Sequence, residues 1–248
     1  MKLRQFAERH PIVCATLCAA LQFGLTILIL NLGKAYAPPQ AYGKVKLLAF
    51  ASTVLVPLLM VQLFGMWREI GFGLGKASPF FAACFLPVAM FASMGVRLPG
   101  AGLGGDLIIQ LLNAFGEELL FRGVIFVILL RLRQWQAIVI NGLLFGSMHL
   151  IHGYMDGNWT HACQWALMSA MAGMMFTAAR YRVATLWWLV LLHMVLNLAS
   201  MYSNVEVVAG PVVNQMVQYA TKAVELVLAL YVMVTANRRK PVLQPASL

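Results

Sequence analysis

"GEELLFRG", residues 116–123, sets two adjacent carboxylates, Glu117 and Glu118, and an arginine, Arg122, between the apolar runs "LIIQLLNAF" (107–115) and "VIFVILL" (124–130). A helix rises about 1.5 Å per residue and the hydrocarbon core of a bilayer is about 30 Å thick, so residues 106–130 are long enough to cross it. Ionised side chains at mid-helix cost about 2.5–3.5 kcal/mol each, roughly 8–10 kcal/mol for these three before any pairing. If this is a membrane span, its charges need partners on other helices.

The rest of the chain argues for the membrane. Of 248 residues, 61% are hydrophobic and 10% charged, with a mean hydropathy of +0.80. That leaves too little polar surface for a water-soluble globule. Further apolar runs of spanning length lie at roughly 12–32, 46–66, 80–96, 136–152, 161–179, 185–203 and 213–235. None alternates polar and apolar residues as barrel strands do, and helices satisfy their own backbone in lipid. The expected fold is therefore all-α: a polytopic membrane bundle of about eight transmembrane helices, a single integral-membrane domain over residues 1–248.

The basic residues set an orientation. With the N-terminus inside, the inner segments hold Lys2, Arg4, Arg9, Arg68, Lys76, Arg131, Arg133, Arg180, Arg182, Arg238, Arg239 and Lys240. The outer segments hold only Lys34, Lys44, Lys46 and Arg97. This asymmetry satisfies the positive-inside rule and puts both termini in the cytoplasm, the expected location being a bacterial cytoplasmic membrane. The net charge of +10 thus reads as topology and as affinity for anionic headgroups, with no nucleic-acid partner expected. The first apolar run is too long for a signal-peptide core and is followed by no clear A-x-A site, so it is expected to be retained. Cys14, Cys18, Cys84 and Cys163 show no C-x-x-C spacing and are expected as buried small hydrophobes. "GFGLG" at 71–75 has no following Lys-Ser/Thr and is a connection, not a phosphate loop.

Within a helix, Glu118 and Arg122 are four apart and can pair, while Glu117 points about 100° away and is left over. Two other spans offer it partners. "FGSMH" puts Phe145 and His149 on one face, and "HMVLN" does the same for His193 and Asn197. Counted at about 1.5 Å per residue from the expected cytoplasmic helix ends, Glu117 and His149 both lie roughly 20 Å up, and His193 and Asn197 roughly 12 and 18 Å. A carboxylate, two imidazoles and an amide should therefore share one layer. His152 and His161, nearer the outer ends, are expected as bonded core residues, and Lys222 with Glu225, three apart, as a structural ion pair.

These three stretches, "EELLFR", "FGSMH" and "HMVLN", resemble the signature E-E-x-x-x-R, F-x-x-x-H, H-x-x-x-N of the CPBP family of intramembrane proteases. That family, also called Abi, includes CAAX-processing endopeptidases and bacteriocin-processing and immunity proteins. The motifs stand in the family's order within residues 106–200, and eight spans suit the CAAX-processing members. The resemblance implies an endopeptidase acting on membrane-associated or lipidated peptides at the bilayer. It also implies that His193 and Asn197 stabilise an oxyanion. A carboxylate in a dry site is a base suited to activating water, which assigns that role to Glu117 with His149 sharing the water. Glu118 with Arg122 would brace Glu117, and Phe145 would wall the site.

A metal is the alternative way to activate water. Glu117, His149 and His193 match a His₂Glu zinc set in kind, but the same residues can act directly, and no cofactor is the preferred expectation. The signatures of other intramembrane proteases are missing, since the chain has no H-E-x-x-H and no G-x-S-G, and "GLGGD" at 102–106 is not G-x-G-D. Two other functions use similar residues: a non-catalytic immunity or binding scaffold of the same family, and a proton-coupled transporter with buried Glu, Arg and His. A transporter should show repeats and broken helices, and the sequence offers neither.

Overall fold

The computed structural model describes residues 2–100 and 102–235. Among these the regular structure is helical, with one isolated bridge between Val96 and Ser203. The helices are α1 (Lys2–Arg9), α2 (Pro11–Tyr36), α3 (Tyr42–Phe64), α4 (Pro79–Ala83), α5 (Leu86–Phe91) and α6 (Leu103–Glu118). After a π-helical turn (Leu119–Ile125) come α7 (Phe126–Leu129), α8 (Gln134–Met148), α9 (Ile151–Asp156), α10 (Trp159–Arg180), α11 (Leu186–Met201) and α12 (Val205–Thr235).

Local chemistry explains the boundaries. Pro11 opens α2 at a position where its missing N–H is no loss. Gly65, at φ 67°, closes α3 in the left-handed conformation that side chains resist. The Ser78 hydroxyl accepts from Phe81 N–H to start α4, the Asn158 side chain accepts from His161 N–H to start α10, and Thr185 does the same for Trp187 at α11. Gly210, at φ 87°, and Pro211 put a kink inside α12.

Among the described residues four helical stretches are long and apolar enough to cross a membrane: Pro11–Tyr36, Gly43–Phe64, Gln134–Asp156 and Val205–Thr235. The expected number was about eight, and the other passages fall short for identifiable reasons. The run at 80–96 breaks into the short helices α4 and α5. The run at 106–130 carries Glu117, Glu118 and Arg122, α10 is diluted by Gln164, Ser169 and Thr177, and α11 has only 16 residues.

Long-range contacts gather the turns at two ends. At one end Arg4 reaches Glu69 at 3.1 Å, Glu8 reaches Arg131 at 2.8 Å, and Arg182 donates to Thr235 at 3.0 Å. At the other, Tyr154 bonds Asn31, Tyr202 bonds Asp106 at 2.5 Å, and Arg97 N–H bonds the Tyr202 carbonyl at 2.8 Å. The basic turns placed together by the positive-inside pattern thus share one end of the bundle. Arg238, Arg239 and Lys240 lie outside the described residues.

Helices α8 and α10 approach backbone to backbone. A Cβ at Gly142 would overlap Met174 and the Ala170 carbonyl, and one at Gly146 would overlap the Ala166 carbonyl. On α6 a Cβ at Gly116 would run into Thr53 of α3, so the residue before Glu117 is held against a neighbouring helix. Small residues at such crossings replace the hydrophobic driving force that lipid does not supply.

Two expectations differ from the structure. Cys163 is exposed, unlike Cys14, Cys18 and Cys84, because it lies on the outward face of α10. His152 and His161 are not bonded core residues: both pack on the half-exposed ring of Trp165, His152 stacked at a centroid distance of 4.3 Å and His161 edge-on at 5.5 Å. Arg180, assigned to an inner segment by the charge asymmetry, is 1% exposed. Lys222 and Glu225 do pair, with Nζ to Oε2 at 2.9 Å.

Candidate active site

The site is built on the change of helix type after Glu118. Through Leu119–Ile125 the backbone widens to a π-helix, and Phe126 N–H bonds the carbonyls of Phe121 and Gly123, passing over that of Arg122. The bypassed Arg122 carbonyl accepts from Arg180 Nε at 3.1 Å, and the Phe121 carbonyl also accepts from Asn141 Nδ2 at 2.7 Å. Two buried polar side chains from α10 and α8 thus hold the irregular turn that carries Arg122.

Arg180 does more than meet that carbonyl. It donates to the carbonyls of Val183 and Ala184 in the turn before α11, at 3.0 and 2.7 Å, and to those of Glu69 and Ile70 after α3, at 3.3 and 2.8 Å. Five backbone oxygens surround one guanidinium, and among the described residues no carboxylate pairs with it. Sequence pattern missed both Arg180 and Asn141. A buried arginine at a helix end reads like a solvated one, and only the bypassed carbonyl reveals its task.

Glu118 is completely buried, while the side chain of Glu117 is 23% exposed, so the adjacent carboxylates face different surroundings. Glu118 Oε1 accepts from Arg122 Nη1 at 3.1 Å, as the four-residue spacing predicts, and also from His193 Nδ1 at 2.7 Å. The second bond was not foreseen. An ionised carboxylate only accepts, so Nδ1 of His193 carries the proton and Nε2 faces outward, 3.7 Å from Glu117 Oε2. Arg122 is anchored further by the Gly173 carbonyl at 3.1 Å, and its guanidinium lies over the rings of Phe145 and Phe176, 4.4 and 5.1 Å from their centroids.

Phe145 stands between the two imidazoles, its ring centroid 5.2 Å from that of His149 and 6.1 Å from that of His193. His149 donates from Nδ1 to the Phe145 carbonyl at 3.2 Å, which leaves its Nε2 as an acceptor. Asn197 lies one turn beyond His193 on α11, and its Nδ2 donates to Gln110 Oε1 at 3.0 Å. Gln110 belongs to none of the three motifs.

As a candidate zinc set, Glu117 keeps both carboxylate oxygens and His149 and His193 one ring nitrogen each outside the hydrogen bonds described, but among the described residues no group of three His, Cys, Asp or Glu side chains converges to hold a metal ion.

Residues 101–199 match the family model described as Rce1-like, type II CAAX prenyl endopeptidase. The match agrees with the resemblance of the three motifs, all of which lie within the matched residues. Comparison with the curated proteins gives no match.

Proposed function

We propose that the chain is an intramembrane endopeptidase that hydrolyses peptide bonds in membrane-associated peptides or proteins, of the CAAX-tail or leader-peptide kind. It would sit in a bacterial cytoplasmic membrane with its basic turns inside. The observation that carries this reading is the facing of Glu117 Oε2 and His193 Nε2 at 3.7 Å within an apolar bundle, in the segment that matches the prenyl endopeptidase family.

At that separation the two groups do not bond directly, and one water can touch both. Glu117 acts as general base on this water, with His149 Nε2 accepting its second hydrogen, and the oxygen attacks the peptide carbonyl carbon. The carbonyl oxygen gains negative charge, which N–H groups at His193 Nε2 and Asn197 Nδ2 stabilise. With Nδ1 committed to Glu118, Nε2 donates only when His193 carries both protons. Glu117, Glu118, Arg122 and His193 then sum to zero charge, the balance a buried cluster needs. Glu117 passes its proton to the leaving amine as the C–N bond breaks, and the products are a carboxylic acid and an amine.

The test is cleavage of a lipid-anchored peptide library in liposomes by the purified protein, compared with Glu117→Ala. Wild type should cut at least one library member, and Glu117→Ala should cut it roughly 10²–10⁴-fold more slowly. Equal cleavage by both proteins overturns the assignment of Glu117. Tight binding without turnover by wild type points instead to the scaffold alternative.

A further inference from the structure

Helices α6 and α11 run antiparallel and are joined by a ladder of polar rungs. Asp106 meets Tyr202 at 2.5 Å, Gln110 meets Asn197 at 3.0 Å, and Glu118 meets His193 at 2.7 Å. The first and last rungs have evident tasks, closing the helix ends and orienting the imidazole. The middle one is unassigned. Gln110 lies seven residues before Glu117, two helical turns away on the same face of α6, in a run (107–115) whose one other polar side chain is Asn113.

We infer that Gln110 is a positioning residue for the proposed hydrolysis, which holds the Asn197 carboxamide with its nitrogen turned toward the reacting carbonyl. The inference rests on the protease reading of the site. A carboxamide turns about a broad, roughly two-fold torsion, so an untethered asparagine presents its oxygen as readily as its nitrogen. Oxygen facing a developing oxyanion repels it, whereas N–H stabilises it. Bonding to Gln110 Oε1 uses one Nδ2 hydrogen and leaves the other for substrate, because a primary amide has two donors. Glutamine supplies this acceptor from a long side chain without adding a charge to the membrane interior.

The experiment is a double-mutant cycle on the cleavage assay, with kcat and KM measured in liposomes for Gln110→Met, Gln110→Glu, Asn197→Ala and the double variant Gln110→Met/Asn197→Ala. Gln110→Met removes the acceptor at nearly constant volume and should lower kcat roughly 10–100-fold with KM unchanged, the usual scale for a misplaced catalytic group. Gln110→Glu keeps an acceptor oxygen in either protonation state and should restore most of the turnover. Since Gln110 acts through Asn197, the double variant should be no slower than Asn197→Ala alone. Full activity in Gln110→Met, or multiplied losses in the double variant, overturns the inference. Thermal unfolding of each variant accompanies the kinetics, and Gln110→Ala replaces Gln110→Met should the latter not fold. Glu117→Ala is run alongside. If it cleaves like wild type the protease reading itself fails, whereas an inactive Glu117→Ala beside a fully active Gln110→Met removes only the role of Gln110.

Discussion

His193 donates from Nδ1 to Glu118 Oε1 at 2.7 Å, and that single bond fixes which nitrogen of the imidazole is available for chemistry. Glu118 is therefore an orienting group for His193 as well as the counter-charge of Arg122. The relation is that of the carboxylate that holds the histidine of a Ser-His-Asp triad in its working tautomer. Glu118→Gln should lower turnover by roughly 10² or more while leaving substrate binding largely intact, because the substituted amide can offer N–H where the carboxylate only accepted. Steady-state kinetics on the lipid-anchored peptide resolve kcat from KM, and an unchanged kcat would show that Glu118 serves charge balance alone.

Arg122 separates stability from activity. Arg122→Met leaves Glu118 without its cation in a fully buried position and should destabilise the protein by about 3–5 kcal/mol. The paired change Glu118→Gln with Arg122→Met removes both charges, so thermal stability should largely return. Turnover should not, since His193 has lost its orienting carboxylate. Equal recovery of stability and turnover would make the pair purely structural.

Arg180 is expected to matter as much as any motif residue although it touches none of their side chains. Arg180→Met withdraws the donor from five carbonyls that lie after α3, in the π-helical turn and before α11. Each buried oxygen left without a donor costs on the order of 1–3 kcal/mol, so the unfolding midpoint in detergent should drop sharply. Arg180→Lys should recover only part of it, because a compact ammonium cannot reach the oxygens that the planar fork spans. A Met variant as stable as wild type would show that the carbonyls find other donors.

The parts of the site legible in the sequence are those set by spacing along one helix. Glu118 and Arg122, four apart, do pair, and Phe145 and His149 do share a face. The parts that were not legible depend on contacts between helices. The carbonyls of the π-helical turn are met by Arg180 and Asn141 from α10 and α8, and nothing in "LLFRGVI" announces that. Gln110 is an unremarkable polar residue until Asn197 stands opposite it. For the fold, helix type was readable from apolar runs, but the break between α4 and α5 and the buried state of Arg180 were not. Hydropathy averages over a window and does not distinguish a solvated cation from one caged by carbonyls.

Close packing of α8 on α10 should be as sensitive to volume as the site is to charge. Gly146→Val puts methyl groups where the Ala166 carbonyl already lies, three residues before His149, and should cost about 1–3 kcal/mol and displace the His149 imidazole, reducing cleavage. Gly24→Ala, in α2, adds a methyl where nothing lies within 4 Å and should be neutral or slightly stabilising. Paired unfolding and activity measurements check both, and a benign Gly146→Val would mean that the two helices separate without cost.

Chelation and Asn197 together distinguish direct water activation from zinc catalysis. A zinc ion would polarise the carbonyl itself, so activity would vanish with a strong chelator, return with added metal, and depend less on Asn197. Direct activation leaves the oxyanion to the N–H groups of His193 and Asn197, and loss of one such donor typically lowers turnover by about 10²–10³. Among the described residues no three His, Cys, Asp or Glu side chains group to hold a metal ion, and the second pattern is the one expected. The expected result is cleavage that persists in chelator and falls by that factor in Asn197→Ala, with KM little changed because the contact strengthens only as the carbonyl oxygen becomes negative. Zinc bound at one per chain in the active protein, with cleavage lost on its removal and restored by its return, would replace this mechanism with the Lewis-acid one.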